Sequence, residues 1–385
     1  MIASLLLLAS AHRAPGTLLI RAKTLYTMAG APIPNGQVLI RDGKIAAVGR
    51  DVATPAGIPV REAEVVTPGF VDCRATVGLS GIYNSQGHDQ DQLDRSGPVQ
   101  PELRALDAYN PNEPLVAYLR GLGVTTALTG HAPGTLVSGT LSVVKLRGRT
   151  AEEASVAPDW AVCATLGPES IGAGGPGNRS RQLSMLRAEL SGAKDAKPDD
   201  GSLRRRMFAR VLAREIPLVI TAHKAQDIAS ALRLQREFGF RMILDGGAEA
   251  TRMLPELKAA GVAVMLHPAM LRPEDDAEEA SYETASKLRQ AGIPYGFTSG
   301  YEGYVPKVRV VPFEAAIYAA NGLGVDEALR VLTIGGATFL GLQNRIGTLE
   351  VGKDADLALF DGPPLEYTTH CLGSVIEGEW TEGSR

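Results

Sequence analysis

Cysteine is scarce and scattered. Three residues, Cys73, Cys163 and Cys371, stand far apart in a chain of 385, and none belongs to a CxxC pair. A disulfide framework is thereby excluded, and the thiols read as buried packing residues. Charge of a single sign is missing as well: 39 basic residues face 43 acidic ones, the net charge is -4, and no basic block runs along the chain. That balance excludes the electrostatic footprint of a nucleic-acid partner or an anionic membrane surface. Beyond the N-terminus no apolar run approaches bilayer-spanning length, so the mature chain is not expected to cross a membrane. No GxGxxG follows an early strand, which argues against a dinucleotide fold. The glycine-rich GPESIGAGGPGNRSRQ (167–182) lacks the GK[ST] ending of a phosphate loop. It is expected to be a flexible rim loop, and the polar SGAKDAKPDDGS (191–202) is expected to be mobile too.

What is present is apolar material, 44% of the chain, enough to bury a large core. The chain begins MIASLLLLASAHRAPG, a short apolar run followed by Ala9-Ser10-Ala11. This predicts a signal peptide over residues 1–11, with mature protein from His12 and export to the periplasm or the outside. The run has no Lys or Arg ahead of it, so a misplaced start or a hydrophobic first strand, with a cytoplasmic protein, is the alternative.

Residues 18–50 alternate short apolar runs with turn residues, and Asn35-Gly36 and Asp42-Gly43 read as hairpin turns. The C-terminal end has the same style in GTLEVGKDADLALFD (347–361) and SVIEGEW. One small β-sandwich built from both ends, residues 12–65 and 341–385, is expected. Between them lie apolar strand candidates: VVTPGFVD, GVTTALTG, DWAVCATLG, IPLVITAH, RMILDGG, GVAVMLHP and IPYGFTSG. Amphipathic stretches such as EPLVAYLRGLG, AQDIASALRLQREFG and YETASKLRQAG separate several of them. Seven or eight parallel βα units in this span predict a (β/α)8 TIM-type barrel over residues 66–340.

The motif TPGFVD (67–72), the strand-end His223 in ITAHKAQDI and the run IGTLEVGKDADLALFD (346–361) together resemble the amidohydrolase superfamily, in its imidazolonepropionase-like and prolidase-like branch. The likeness spans residues 18 to 380. It implies hydrolysis of amide, cyclic amide, amidine or small peptide-like C–N bonds by one or two divalent metals at the barrel mouth. Such a metal lowers the pKa of bound water and polarises the scissile carbonyl. The family pattern has His-x-His after strand 1, a bridging residue after strand 4, a His after each of strands 5 and 6, and an Asp after strand 8. Here these positions fall on Arg74 and Thr76, Cys163, His223, a site near Gly246 with Asp245 beside it, and a site near Gly300 with Glu302 beyond. A guanidinium stays protonated and repels a divalent cation. Only His223 of the implied metal ligands remains, which puts metal-dependent turnover in doubt.

Other polar residues are expected at the same rim: Asp72, His131 after strand 2 and His267 after strand 7. One reading binds zinc in a relocated site of His131, His223 and His267, with Asp245 or Glu302 as catalytic base. Otherwise no cofactor is expected, and each histidine caps its strand. Arg74, with His131 and His267, could instead bind a substrate or anion, or Arg74 could fill the old metal space through an internal salt bridge to Asp72 or Asp245. Cys163 is placed inward beside His223 and Cys73 outward, towards the helices. The loop at 79–111 carries His88, Asp89 and Asp91, a weak ligand cluster in a solvated segment. Two functions follow: a hydrolase of the family type with an altered site, or a non-catalytic ligand-binding subunit. The resemblance also implies a homo-oligomer or hetero-oligomer with a metal-bearing amidohydrolase relative. A small-molecule ligand fits either function, and no nucleic-acid partner is expected.

Overall fold

The structure is a computed structural model that describes residues 16–81, 90–172, 174–194, 201–301 and 310–383. The expected signal peptide therefore lies outside the described residues, as do His88, Asp89 and Glu302. No helix among the described residues is long and apolar enough to cross a membrane.

Four strands open the chain: β1 (Leu18–Leu25), β2 (Ile33–Arg41), β3 (Lys44–Gly49) and β4 (Val60–Pro68). Asp42 and Gly43 join β2 to β3 with φ of 49° and 78°, the paired positive values of a two-residue hairpin whose twist matches its strands. Asn35-Gly36 is not a turn. It lies inside β2, where Gly36 pairs with Ala22 and Pro34 with Thr24, and the β1–β2 connection is residues 26–32. The turn composition misled here because Asn35 takes a left-handed φ of 51° within a strand.

After Pro68-Gly69 the chain enters a barrel of eight strands: β5 (Phe70–Ala75), β6 (Val124–Gly130), β7 (Val137–Lys145), β8 (Ser155–Thr165), β9 (Leu218–Ala222), β10 (Met242–Gly246), β11 (Ala263–Leu266) and β12 (Tyr295–Gly296). They pair in sequence order. The seam between first and last strands closes through Cys73 N–H to the Phe297 carbonyl (2.9 Å) and Gly300 N–H to the Arg74 carbonyl (3.1 Å). Helices such as Ala225–Phe238 and Thr284–Ala291 pack outside.

One strand departs from the parallel pattern. β7 runs antiparallel to both β6 and β8. Its sequence, VSGTLSVVK, mixes small polar with apolar residues and carries no strong strand signal, yet all nine residues are buried. Leu141 and Val143 point into the barrel with Val71, Leu128, Cys163, Val219, Ile243 and Met265. Only residues 131–136 link β6 to β7, so the connection is a hairpin rather than a helix.

Cys73 belongs to this interior cluster and does not face the helices. It shares the face of Val71 two residues before it, and a bulge follows. Asp72 pairs with Ala127 and Ala75 with Thr129, so Cys73 and Arg74 together oppose the single residue Leu128. Strict alternation fails at that point.

The last strands, β13 (Leu357–Phe360), β14 (Cys371–Ile376) and β15 (Glu379–Glu382), return to β4 and complete a seven-stranded sheet ordered β15-β14-β13-β4-β1-β2-β3. The sheet curls on itself: Ile45 N–H donates to the Lys353 carbonyl (3.0 Å) and Ala355 N–H to the Gly43 carbonyl (2.9 Å). Ile20, Val38, Ile40, Ile45, Val66, Leu357 and Leu359 fill the space enclosed. Lys145, at the end of β7, reaches Asp354 (2.6 Å), Asp356 (3.2 Å) and Glu377 (2.9 Å). It ties the barrel to the sandwich through two acids of the Gly-Lys-Asp-Ala-Asp-Leu run.

Candidate functional site

The C-terminal ends of the parallel strands converge on a cavity of about 1050 Å³, the face at which this architecture holds its chemistry. Its floor is built from strand-end side chains. On β9 the alternation that buries Val219 inward brings Thr221 and then His223 to the same side. On β10 it brings up Asp245. The Thr221 hydroxyl donates to Asp245 Oδ2 at 2.8 Å, and Tyr301 is a hydrogen-bond neighbour of Thr221.

Arg74 lies beneath this floor, 1% exposed, and is not part of the cavity wall. One terminal nitrogen donates to the His131 carbonyl and the other to the Ala75 carbonyl at 3.0 Å. Its Nε lies 3.7 Å from Asp245 Oδ2, and the guanidinium sits 5.1 Å from the centre of the Tyr301 ring. The carboxylate that Arg74 faces is therefore Asp245, not Asp72. Asp72 occupies the barrel seam instead, where its Oδ1 accepts the Arg74 and Ser299 N–H groups at 3.1 Å each. Burial pushes the Asp72 carboxyl up to about 6.

The three rim histidines do not form one constellation. The His131 ring places Nδ1 3.1 Å from the Thr140 carbonyl. His267 Nδ1 lies 3.0 Å from the Pro268 carbonyl and 3.2 Å from the Tyr318 hydroxyl, and Nε2 lies 3.4 Å from Thr284 Oγ1. The structure thus gives both rings the strand-capping contacts, and of the two only His267 lines the cavity. His223 also lines it, and its Nδ1 has no hydrogen-bond partner among the described residues. Burial lowers the pKa of all three, His267 to about 4, so each is neutral near pH 7.

The residues that the resemblance sets at metal-binding positions are Arg74, Thr76, Cys163, Gly246 and Gly300. Arg74 fills the first with a fixed cation. Thr76, at the second, hydrogen-bonds Ser80 at 2.9 Å. Cys163 is buried in the barrel interior, and burial pushes its thiol up to about 12. Gly246 has φ of 84°, and a Cβ there would come within 2.7 Å of the His223 ring. Gly300 has φ of 77°, and a Cβ there would meet Pro268 at 2.6 Å. A histidine or aspartate would be strained at either site. Among the described residues no group of three or more His, Cys, Asp or Glu could hold a metal ion. These residues do not fit a divalent cation.

Among the described residues the cavity wall carries five carboxylates, Glu169, Asp245, Glu274, Asp275 and Asp276, and two guanidinium groups, Arg95 and Arg272. The segment 268–279 that supplies three of these acids was not singled out from sequence, although its EDDAEE run (274–279) signals an acidic surface. Thr221 and Tyr301 were also missed. Thr221 could have been found by its two-residue spacing from His223 on one strand face. The stretch at 167–182 proves partly pinned: Gln182 Nε2 donates to the Gly167 carbonyl (2.7 Å), and Asn178 caps the helix Arg179–Ala193. Asp91 is exposed, and its N–H donates to the Leu79 carbonyl.

An Amidohydrolase family model matches residues 300–381. An imidazolonepropionase from Syntrophobacter fumaroxidans is 27% identical, covering 89% of this chain and 87% of its own. One from Maricaulis maris is 26% identical over 89% and 92%. The crystal structure of an amidohydrolase from Thermotoga maritima superposes with a TM-score of 0.87 at 24% identity, covering 95% of this chain and all of that one. These likenesses are to the amidohydrolase superfamily. In sequence the similarity is to its imidazolonepropionase-like branch.

Proposed function

We propose that this protein keeps the ligand cavity of an amidohydrolase barrel without its metal chemistry, and that it acts by binding a small polar molecule at the barrel mouth. One observation carries this reading. The guanidinium of Arg74 stands where the family pattern has its first metal-binding histidine, held by two carbonyls, Asp245 and the Tyr301 ring. A buried cation with that many partners is a settled part of the core and opposes a second positive charge beside it. The geometry at Gly246 and Gly300 supports the same reading, because restoring ligands there requires the backbone and His223 or Pro268 to move.

Elemental analysis of the purified protein, before and after incubation with excess zinc and removal of unbound metal, tests the proposal. Substoichiometric divalent metal in both samples, with no hydrolysis of an imidazolone substrate, is the expected result. A stoichiometric metal together with hydrolysis that a chelator abolishes would overturn it. The double substitution Arg74→His/Thr76→His is expected to gain neither metal nor hydrolysis.

A further inference from the structure

One side of the cavity is a single segment between β11 and the helix Thr284–Ala291, where Leu271, Arg272, Glu274, Asp275, Asp276 and Ala277 line the wall. This segment is not held as the rest of the barrel is. Ala269 and Ala285 on either side of it belong to the apolar core, whereas none of residues 270–283 does. Among the described residues the backbone N–H groups of Leu271, Glu274, Ala277, Glu278 and Ala280 donate to carbonyls of residues 268–277, and no backbone bond crosses from 271–280 to a neighbouring element. Its two ends are fixed. The Met270 N–H donates to the buried Glu314 at 2.9 Å, and the buried Thr284 places its hydroxyl 3.4 Å from His267 Nε2.

What ties the middle of the segment to the barrel is charge. Asp276 lies 3.4 Å from Arg179, at the start of the helix after β8. Glu278 pairs with Lys224 just after β9, and Glu279 pairs with Arg252 after β10. Two of these three anchors have a second carboxylate of their own. Arg179 donates to the buried Asp227 at 2.8 Å, and Lys224 lies 3.5 Å from the buried Glu249. Both stay paired when the segment leaves, so its departure strands no buried charge. Exposed ion pairs are individually weak and are screened by salt. A stretch with few buried apolar groups opens far more readily than a core strand.

We propose that residues 271–282 form a strap latched over the barrel mouth by these three ion pairs, and that its release, hinging beside Met270 and Thr284, opens the cavity. The strap works in this way whether the cavity binds its occupant or turns it over.

Amide hydrogen exchange of the full chain, with no ligand added, reads the latch. Glu278→Gln/Glu279→Gln changes two exposed side chains of the strap and is expected to speed exchange of residues 271–282 about threefold to tenfold, the effect of losing two exposed ion pairs. Exchange in β9 and β10 is expected to stay unchanged. Raising sodium chloride from about 0.05 M to about 1 M should speed the same residues in the wild type, relative to an unstructured peptide of their sequence, and do less in the variant. Exchange that neither change alters, or that rises equally in β9 and β10, would overturn the proposal. Nitroxide labels on Glu274→Cys and Ser180→Cys read the movement, since all three native cysteines are buried. Two distances are expected by pulsed electron paramagnetic resonance, the longer gaining population with salt. A single distance, insensitive to salt and to Glu278→Gln/Glu279→Gln, would overturn the hinged opening.

Discussion

At the scale of single residues, the barrel mouth is held by buried charges whose surroundings differ. Asp245 has a guanidinium and a hydroxyl beside it. Asp72 has backbone N–H groups on Oδ1, and burial outweighs them, leaving its carboxyl near 6 against 3.8 for a free aspartate. The sign of the pH effect follows. Because the folded state holds this proton more tightly than the unfolded chain, stability contributed at Asp72 is fully present below pH 3.8 and falls as pH rises through 6. The shift corresponds to roughly 3 kcal/mol. Asp72→Asn keeps the Oδ1 acceptor for both N–H groups and removes the ionisation. Urea denaturation between pH 4 and 7 is expected to show the variant gaining stability relative to wild type as pH rises, and a pH-independent difference would contradict this account. Part of this site was legible in sequence, because His223, Asp245 and His267 were read at strand ends and all three line the cavity. The failure of Cys73 and Arg74 to alternate was not, since a bulge there obeys pairing to β6 rather than the period of β5. Nor were the acids at 274–276, which meet the mouth through a long loop.

At the scale of elements, β7 is the least legible strand and carries the most consequential side chain. Its antiparallel course delivers Lys145 to the end of the barrel facing the sandwich, 2% exposed, among Asp354, Asp356 and Glu377. Arg345 donates to Asp354 at 2.9 Å, and Lys44 also pairs with it. The recognisable Gly-Lys-Asp-Ala-Asp-Leu run thus serves, in this chain, as the acceptor half of a buried clamp. Burial works against the Lys145 charge, but the three carboxylates together hold its pKa above the ordinary lysine value. Lys145→Met removes the only cation that pairs with Asp356 among the described residues and leaves that carboxylate buried. A loss of roughly 3–5 kcal/mol is expected, as for other broken buried pairs. Guanidinium denaturation measures it, and a loss below about 1 kcal/mol would show the cluster to be solvated. Sequence patterning found the strands on either side of β7, where apolar runs end in Gly, and passed over β7 itself because its serines and threonine, buried in the barrel sheet between β6 and β8, interrupt the apolar run.

At the scale of the whole molecule, the sandwich and the barrel are not independent bodies. β4 hands the chain to β5 across Pro68-Gly69, and β13 pairs back onto β4, so the composite sheet exists only when both ends of the chain meet. Val65, Ala358, Phe360, Cys371 and Ile376 of that sheet belong to the same apolar cluster as Phe70, Leu119 and Val124 of the barrel layer. The rings of Phe70 and Phe360 stack with centroids 5.5 Å apart. A shared core and a buried clamp couple the stabilities of the two parts, because losing either exposes apolar surface and leaves unpaired charge on the other. Chains of this size commonly unfold through intermediates when their domains are only loosely joined. Here a single cooperative transition is expected in calorimetry, with the van't Hoff enthalpy matching the calorimetric one. Lys145→Met, which cuts the clamp and leaves the shared apolar cluster in place, should lower the transition temperature without splitting the peak. Two resolved transitions in the wild-type protein would mean that the composite sheet melts while the barrel stands, and the interface would then have to be read as a contact between separately stable parts.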